Sequence, residues 1–212
     1  MNSLRGVELL NSVKRTAHLK RYHVALPPPA ESYRLAPVST EAGHLDPEEV
    51  RCLTDWRNRH VRAFLTEFRA AEERTGEWLS AVVGLDSTRI LFMLEEASGR
   101  KCAYAGIAHI QWDRAYGEAD AIVRGEDLPK GTMRIALRTL LSWARTELGL
   151  RDLGVRVLAD NPAVDFYRKC GFKETRRDGL TRTLSPDRIA WVLSPPGTVP
   201  VRWLIHMQHA EP

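Results

Sequence analysis

No apolar run in this chain approaches the roughly 20 residues that a membrane-spanning helix needs. The first residues lack the apolar centre and small-residue cleavage site of a secretory signal. No membrane partner is expected, and a cytoplasmic location follows by default. Cysteine is scarce. Cys52, Cys102 and Cys170 are odd in number and far apart, which fits reduced, buried thiols better than a disulfide framework. None has a neighbour at the paired spacing of a zinc site, so no metal is expected. Basic residues are not interleaved with aromatics, so no nucleic-acid partner is expected either. Internal repeats are missing.

What is present is an ordinary globular composition. The 212 residues are 43% hydrophobic and 27% charged, enough for one domain of about 150 residues with extensions. The net charge of +4 is concentrated at the N-terminus. Residues 1–30 carry Arg5, Lys14, Arg15, Lys20 and Arg21 against Glu8 alone. Leu4, Val7, Leu10 and Val13 recur every third residue and predict a leader helix, read as a solvated, amphipathic extension. A transit peptide is the alternative, against which Glu8 stands. Pro27-Pro28-Pro29 then makes an extended linker.

Residues 1–31 are therefore read as a basic extension and Pro-rich linker, 32–194 as the folded domain, and 195–212 as a C-terminal extension with a possible extra strand. Within the domain, Tyr33–Val38 predicts a first strand. Asp46-Pro47 opens a helix with Asp as N-cap and Pro at the first helical position. Arg89–Leu94, Ala103–Trp112 and Tyr116–Arg124 read as strands, the first two joined by the Ser98-Gly99-Arg100-Lys101 turn. Thr132–Leu148 is the longest helix, with Met133, Ala136, Leu137, Leu140, Leu141, Ala144 and Leu148 along one face and Gly149 as its stop. Strands follow at Leu153–Leu158, Phe172–Arg177 and Ile189–Leu193, and Val201–Met207 can add one more. This order predicts an α/β fold: a mixed, mostly antiparallel sheet with helices on both faces.

The most informative segment is Ala159 to Phe172. Asn161 and Pro162 are a helix start, and Gly171 is its stop. Between them stand Phe166 and Tyr167. The order strand, Asn161, Phe166-Tyr167, Gly171-Phe172 resembles the last conserved block of the GNAT superfamily, the acyl-CoA-dependent N-acetyltransferases. The resemblance spans roughly residues 33–194. It implies a sheet splayed at the site of acetyl-CoA, which serves as acyl-donor cosubstrate.

The resemblance also implies roles. Gly131, within Lys130-Gly131-Thr132-Met133, falls where the family wraps the pyrophosphate at a helix N-terminus, a natural anion site. Leu128 and Met133 depart from the family's pattern, and Lys130 is the candidate phosphate contact. Ile122, Val123 and Arg124 fall where the family's strand bonds the pantetheine arm, and Asn161 where the arm is contacted. Tyr167 is the candidate proton donor to the departing thiolate. Glu118 and Asp120, two apart and so on one strand face, are the candidate bases that free the amine, with His109 as a rival.

Asp55-Trp56-Arg57-Asn58 and the later acidic stretch ending in Trp78 resemble the branch that acetylates amino sugars, commonly on a nucleotide carrier. Trp56 or Trp78 would stack on a sugar or base face, and Arg57, with Asn58 beside it, would meet phosphate. The expected function is direct acyl transfer to the primary amine of a small molecule, an amino sugar or nucleotide-linked amino sugar. A protein amine as acceptor, an idle acyl-CoA-binding domain, and a homodimer all stay open.

Overall fold

The computed structural model describes residues 3–210. Helix α1 (Ser3–Thr16) ends in a short turn at 17–19, and β1 is Val24–Ala25. Strand β2 (Tyr33–Pro37) leads to α2 (Pro47–Arg59), the two-residue β3 (Thr66–Glu67), and α3 (Glu72–Glu77) with a wide helical turn, Trp78–Val83. Strands β4 (Ile90–Glu96), β5 (Lys101–Gln111) and β6 (Tyr116–Arg124) precede α4 (Thr132–Thr146). Then come β7 (Asp152–Leu158), α5 (Ala163–Lys169), β8 (Phe172–Ser185), β9 (Arg188–Leu193) and β10 (Arg202–His209). The ten strands form one sheet in the order β1-β2-β4-β5-β6-β7-β10-β8-β9-β3. Every neighbouring pair is antiparallel except β6 and β7, so the mixed sheet expected from sequence is observed.

Strand alternation builds two cores. On β4, Ile90, Phe92 and Leu94 face the core under α1, α4 and α5, while Leu91 and Met93 face α2. On β5, Ala103, Ala105 and Ile107 join the first core and Tyr104 the second. The helix ends follow local chemistry. Asp46 Oδ1 accepts the Glu48 amide at 2.9 Å to cap α2. Gly149, at φ +74°, follows α4 in the left-handed conformation, and the Leu150 amide returns to the Ala144 carbonyl.

Both ends of the chain depart from the boundaries read from sequence. The N-terminal helix is not a solvated leader: Leu10 and Val13 are buried in the main core, and β1 extends the sheet beside β2. Lys14 is 4% exposed, and its ammonium donates to the Val83 and Asp86 carbonyls at 3.0 and 2.7 Å. Burial lowers its pKa to about 8. Residues after Pro195 supply β10, an interior strand hydrogen-bonded to both β7 and β8. Pairing between strands distant in sequence leaves no local signal, so a boundary drawn from composition misses it.

Candidate active site

The parallel ladder between β6 and β7 runs from Tyr116–Asp152 to Ala119–Val155 and stops. Beyond it β7 pairs only with β10, and β6 only with β5. The divergence begins at a β-bulge. Gly106 opposes Asp120 and Tyr104 opposes Val123, so β6 carries one extra residue there. Ala121 sits in the bulge at φ +52°, a conformation that costs a residue with Cβ about 1–2 kcal/mol. Bulges concentrate beside functional sites because they bend the strand and re-aim its side chains. Ile122, Val123 and Arg124 therefore lie on a strand edge released from β7, where backbone groups can bond an extended ligand, although the Arg124 carbonyl already meets His60 Nε2 at 3.3 Å.

Three side chains lie near this opening, Tyr167 in the first core, Tyr104 in the second, and Asp120 on β6. Tyr167 is 6% exposed and rests edge-on against Phe166 and Phe172. Burial, then the negative charge of Asp120, raises the pKa of its hydroxyl well above the ordinary phenol value, so it is protonated at neutral pH. Tyr104, 4% exposed, is raised likewise by burial, with Asp120 again acting upward. Asp120 is thus close enough for its charge to reach both phenols. None of the three side chains has a hydrogen-bond or ion-pair partner among the described residues.

Glu118 differs. Its carboxylate accepts from Arg156 Nε at 2.6 Å and from the Tyr116 hydroxyl at 2.9 Å. It is a buried structural anion that ties β6 to β7 just before they part. His109 is the extra residue of a second bulge, on β5 at φ +52°. It is exposed and stands three residues, or roughly 10 Å, along the strand from Gly106, the partner of Asp120.

The opening continues into the loop 125–131 and the start of α4. Gly131 occupies the N-cap at φ +97°, and no side chain caps the helix; the Thr132 amide donates to the Pro129 carbonyl at 3.1 Å, so the amides that follow it are left for an anion. Thr132 is buried, Met133 packs against the core, and Lys130 and Arg134 are exposed. Arg134 is a cation that the sequence reading passed over. Only its helical phase beside Gly131 marks it. At the far side, Asn161 Oδ1 accepts the Ala163 amide at 2.9 Å and caps α5. Asn161 and Arg177 line a depression of about 340 Å³ there. An unpaired strand edge, uncapped helix amides and adjacent cations fit a diphosphate-bearing pantetheine thioester.

The residues assigned to an amino sugar are engaged elsewhere. Trp56 is 1% exposed and stacks on Tyr104, centroids 6.2 Å apart and planes 13° from parallel. Its Nε1 donates to Glu126 at 2.9 Å. A Cβ on Gly125 would fall 2.0 Å from the Trp56 ring, so the loop after β6 rests directly on the indole. Arg57 donates to the Thr66 and Phe68 carbonyls, and Asn58 makes both amide bonds to the Ala70 backbone. Trp78 is half-buried at the edge of the second core. Sequence reasoning missed Arg59, which donates to the Gly125 carbonyl at 2.6 Å and pairs with Glu126. These groups hold the loop in place.

Residues 40–173 match the acetyltransferase (GNAT) domain family. A search of curated proteins finds no match. Among solved structures, the spermidine N-acetyltransferase from Vibrio cholerae in complex with CoA and spermine aligns with a TM-score of 0.63 at 18% identity, covering 84% of this chain and 94% of that one. A chimera of that Vibrio cholerae enzyme and hSSAT aligns with the same score and identity, covering 84% and 95%. At this identity the likeness is one of fold. No helix among the described residues is long and apolar enough to cross a membrane. With the family matched across most of the chain, the chain belongs to the GNAT acetyltransferases and is an N-acetyltransferase that uses acetyl-CoA.

Proposed function

We propose that the chain transfers an acetyl group from acetyl-CoA directly to a primary amine of a small polyamine-like acceptor. One observation carries the reading: the β6–β7 ladder ends at Ala119–Val155, and just past its end unpartnered Asp120 acts through its charge on the buried hydroxyl of Tyr167. The pantetheine arm lies along Ile122–Arg124, with Asn161 across from it. The diphosphate meets the amides that follow Thr132, with Lys130 and Arg134 as counter-charges. Asp120 accepts a proton from the acceptor's ammonium, directly or through water, which frees the nitrogen lone pair. The amine attacks the thioester carbonyl, and the C–S bond breaks. Tyr167 gives its phenolic proton to the departing thiolate and recovers one from the newly acylated nitrogen. Its raised pKa keeps the phenol from remaining ionised between turnovers.

A polycation is favoured as acceptor on two grounds. A half-buried carboxylate without a partner attracts an ammonium group. The similar folds from Vibrio cholerae are named for spermidine acetylation. The amino-sugar reading loses its support because Trp56, Arg57 and Asn58 are spent on packing and backbone bonds. The test is acetyl-CoA consumption with spermidine, spermine, glucosamine and a peptide N-terminus. Spermidine or spermine is expected to exceed the others by about tenfold or more in kcat/KM, worth about 1.4 kcal/mol of differential transition-state binding. Preference for glucosamine or the peptide would overturn the acceptor class. Coenzyme A binding without acetylation of any amine would replace the enzyme by a binding module.

A further inference from the structure

In the segments that precede α2, three ligand-bearing side chains converge without serving the acyl-transfer site. We propose that His18, Glu41 and His44 bind a divalent transition metal of the zinc class, which ties the N-terminal segment to the loop entering α2. His18 Nδ1 lies 3.2 Å from Glu41 Oε2, and His44 Nδ1 lies 3.5 Å from the same oxygen. All three ligand atoms fall within 4.8 Å of one another. Ligands about 2.0–2.2 Å from a tetrahedral zinc are separated by roughly 3.3–3.5 Å. Two of the three separations already match, and rotation of exposed His44 closes the third.

The donor set is chemically suited. Two imidazoles and a carboxylate select zinc and its neighbours over calcium or magnesium, which prefer oxygen. Three protein ligands leave one coordination position to water.

A second observation points at the same spot. The His18 Nδ1 atom is buried and has no hydrogen-bond partner among the described residues, although Glu41 Oε2 lies 3.2 Å away. An unfilled buried ring nitrogen calls for an occupant. The two imidazole rings stack, centroids 4.7 Å apart and planes 20° from parallel.

The backbone holds the ligands in place. The His44 amide donates to the Glu41 carbonyl at 3.0 Å, closing a turn that presents both side chains together. Next to His18, buried Ala17 anchors the short turn, and Lys20 is paired to Asp46 and Glu49. Glu41 and His44 are three apart in sequence, but their partner His18 lies 23 positions before Glu41.

The test is calorimetric titration of zinc(II) into metal-stripped full-length protein, with thermal unfolding and cobalt(II) absorption as further readouts. Wild type is expected to bind one equivalent. At a hundredfold excess over Kd its thermal midpoint should rise by roughly 5–10 °C. Cobalt(II) should give ligand-field absorption of tetrahedral type. His44→Ala, at an exposed position that folding does not need, should weaken zinc by at least about tenfold and abolish the cobalt spectrum. Glu41→Gln should weaken binding without moving the midpoint of the metal-free protein. If wild type takes up no zinc at micromolar concentration, or if His44→Ala binds as tightly as wild type, the site is refuted.

Discussion

Arg156 Nε donates to Glu118 Oε2 at 2.6 Å, and this ion pair separates two acidic residues that sequence alone leaves equivalent. Glu118 and Asp120 share a strand, yet one is closed by Arg156 and Tyr116 and the other lies just past the end of the β6–β7 ladder with no partner among the described residues. A base must be free to take a proton, so the account assigns that task to Asp120. Asp120→Asn should lower kcat/KM by about 10²–10³-fold with folding stability little changed. Glu118→Gln should leave turnover within about tenfold but cost about 1–3 kcal/mol in urea denaturation, because Arg156 loses its partner. The reverse pattern would exchange the two roles.

The interior position of β10 predicts that the chain cannot be shortened to residue 194. Leu204, Ile205 and Met207 on this strand are 5%, 1% and 2% exposed. At about 1.5–3 kcal/mol for each buried side chain, their removal forfeits about 5–9 kcal/mol, comparable with the whole stability of a domain. Truncation after Ser194 should abolish the cooperative thermal transition. A truncated protein that melts cooperatively with native circular dichroism would show that the strand is dispensable.

Lys14 gives a pH signature. Its pKa falls from the ordinary 10.5 to about 8 in the folded protein. Between these values the unfolded chain holds the proton more tightly, so the lysine's contribution to stability rises as pH climbs from about 8 to 10.5. Below pH 8 the ammonium is charged in both states and the cost of burying it is constant. In Lys14→Met this component vanishes. The stability difference between wild type and variant should shift towards wild type by about 3 kcal/mol across the window, measured by denaturant titration at several pH values. A difference independent of pH would show that Lys14 titrates normally.

The parts of the fold legible in the sequence were those set by neighbours along the chain. Asn161 capping α5, Asp46 capping α2 and Gly149 closing α4 are local arrangements, and their residue types announce them. The alternation on β6 and the apolar face of α4 were equally readable. Tyr167 was reached through its family motif, and in the structure it is buried where the charge of Asp120 reaches its hydroxyl. What was hidden depends on contacts between distant segments. An alanine at φ +52° in the bulge carries no residue signature, since alanine is ordinary in any strand. Trp56 looked like a stacking platform because its fate is decided by Gly125, 69 positions later. The N-terminal helix looked solvated because the groups it packs on, Trp112 and Leu148 at Gly6 and Val83 and Asp86 at Lys14, are remote in sequence.

The most direct measurement is release of coenzyme A thiol during acetyl transfer to spermidine by wild type and Tyr167→Phe, with coenzyme A affinity determined in parallel. The account predicts turnover by wild type, a roughly hundredfold lower kcat in the variant, and an unchanged Kd for coenzyme A. A variant that turns over as fast as wild type would contradict it, because the thiolate would then be leaving without a proton from Tyr167.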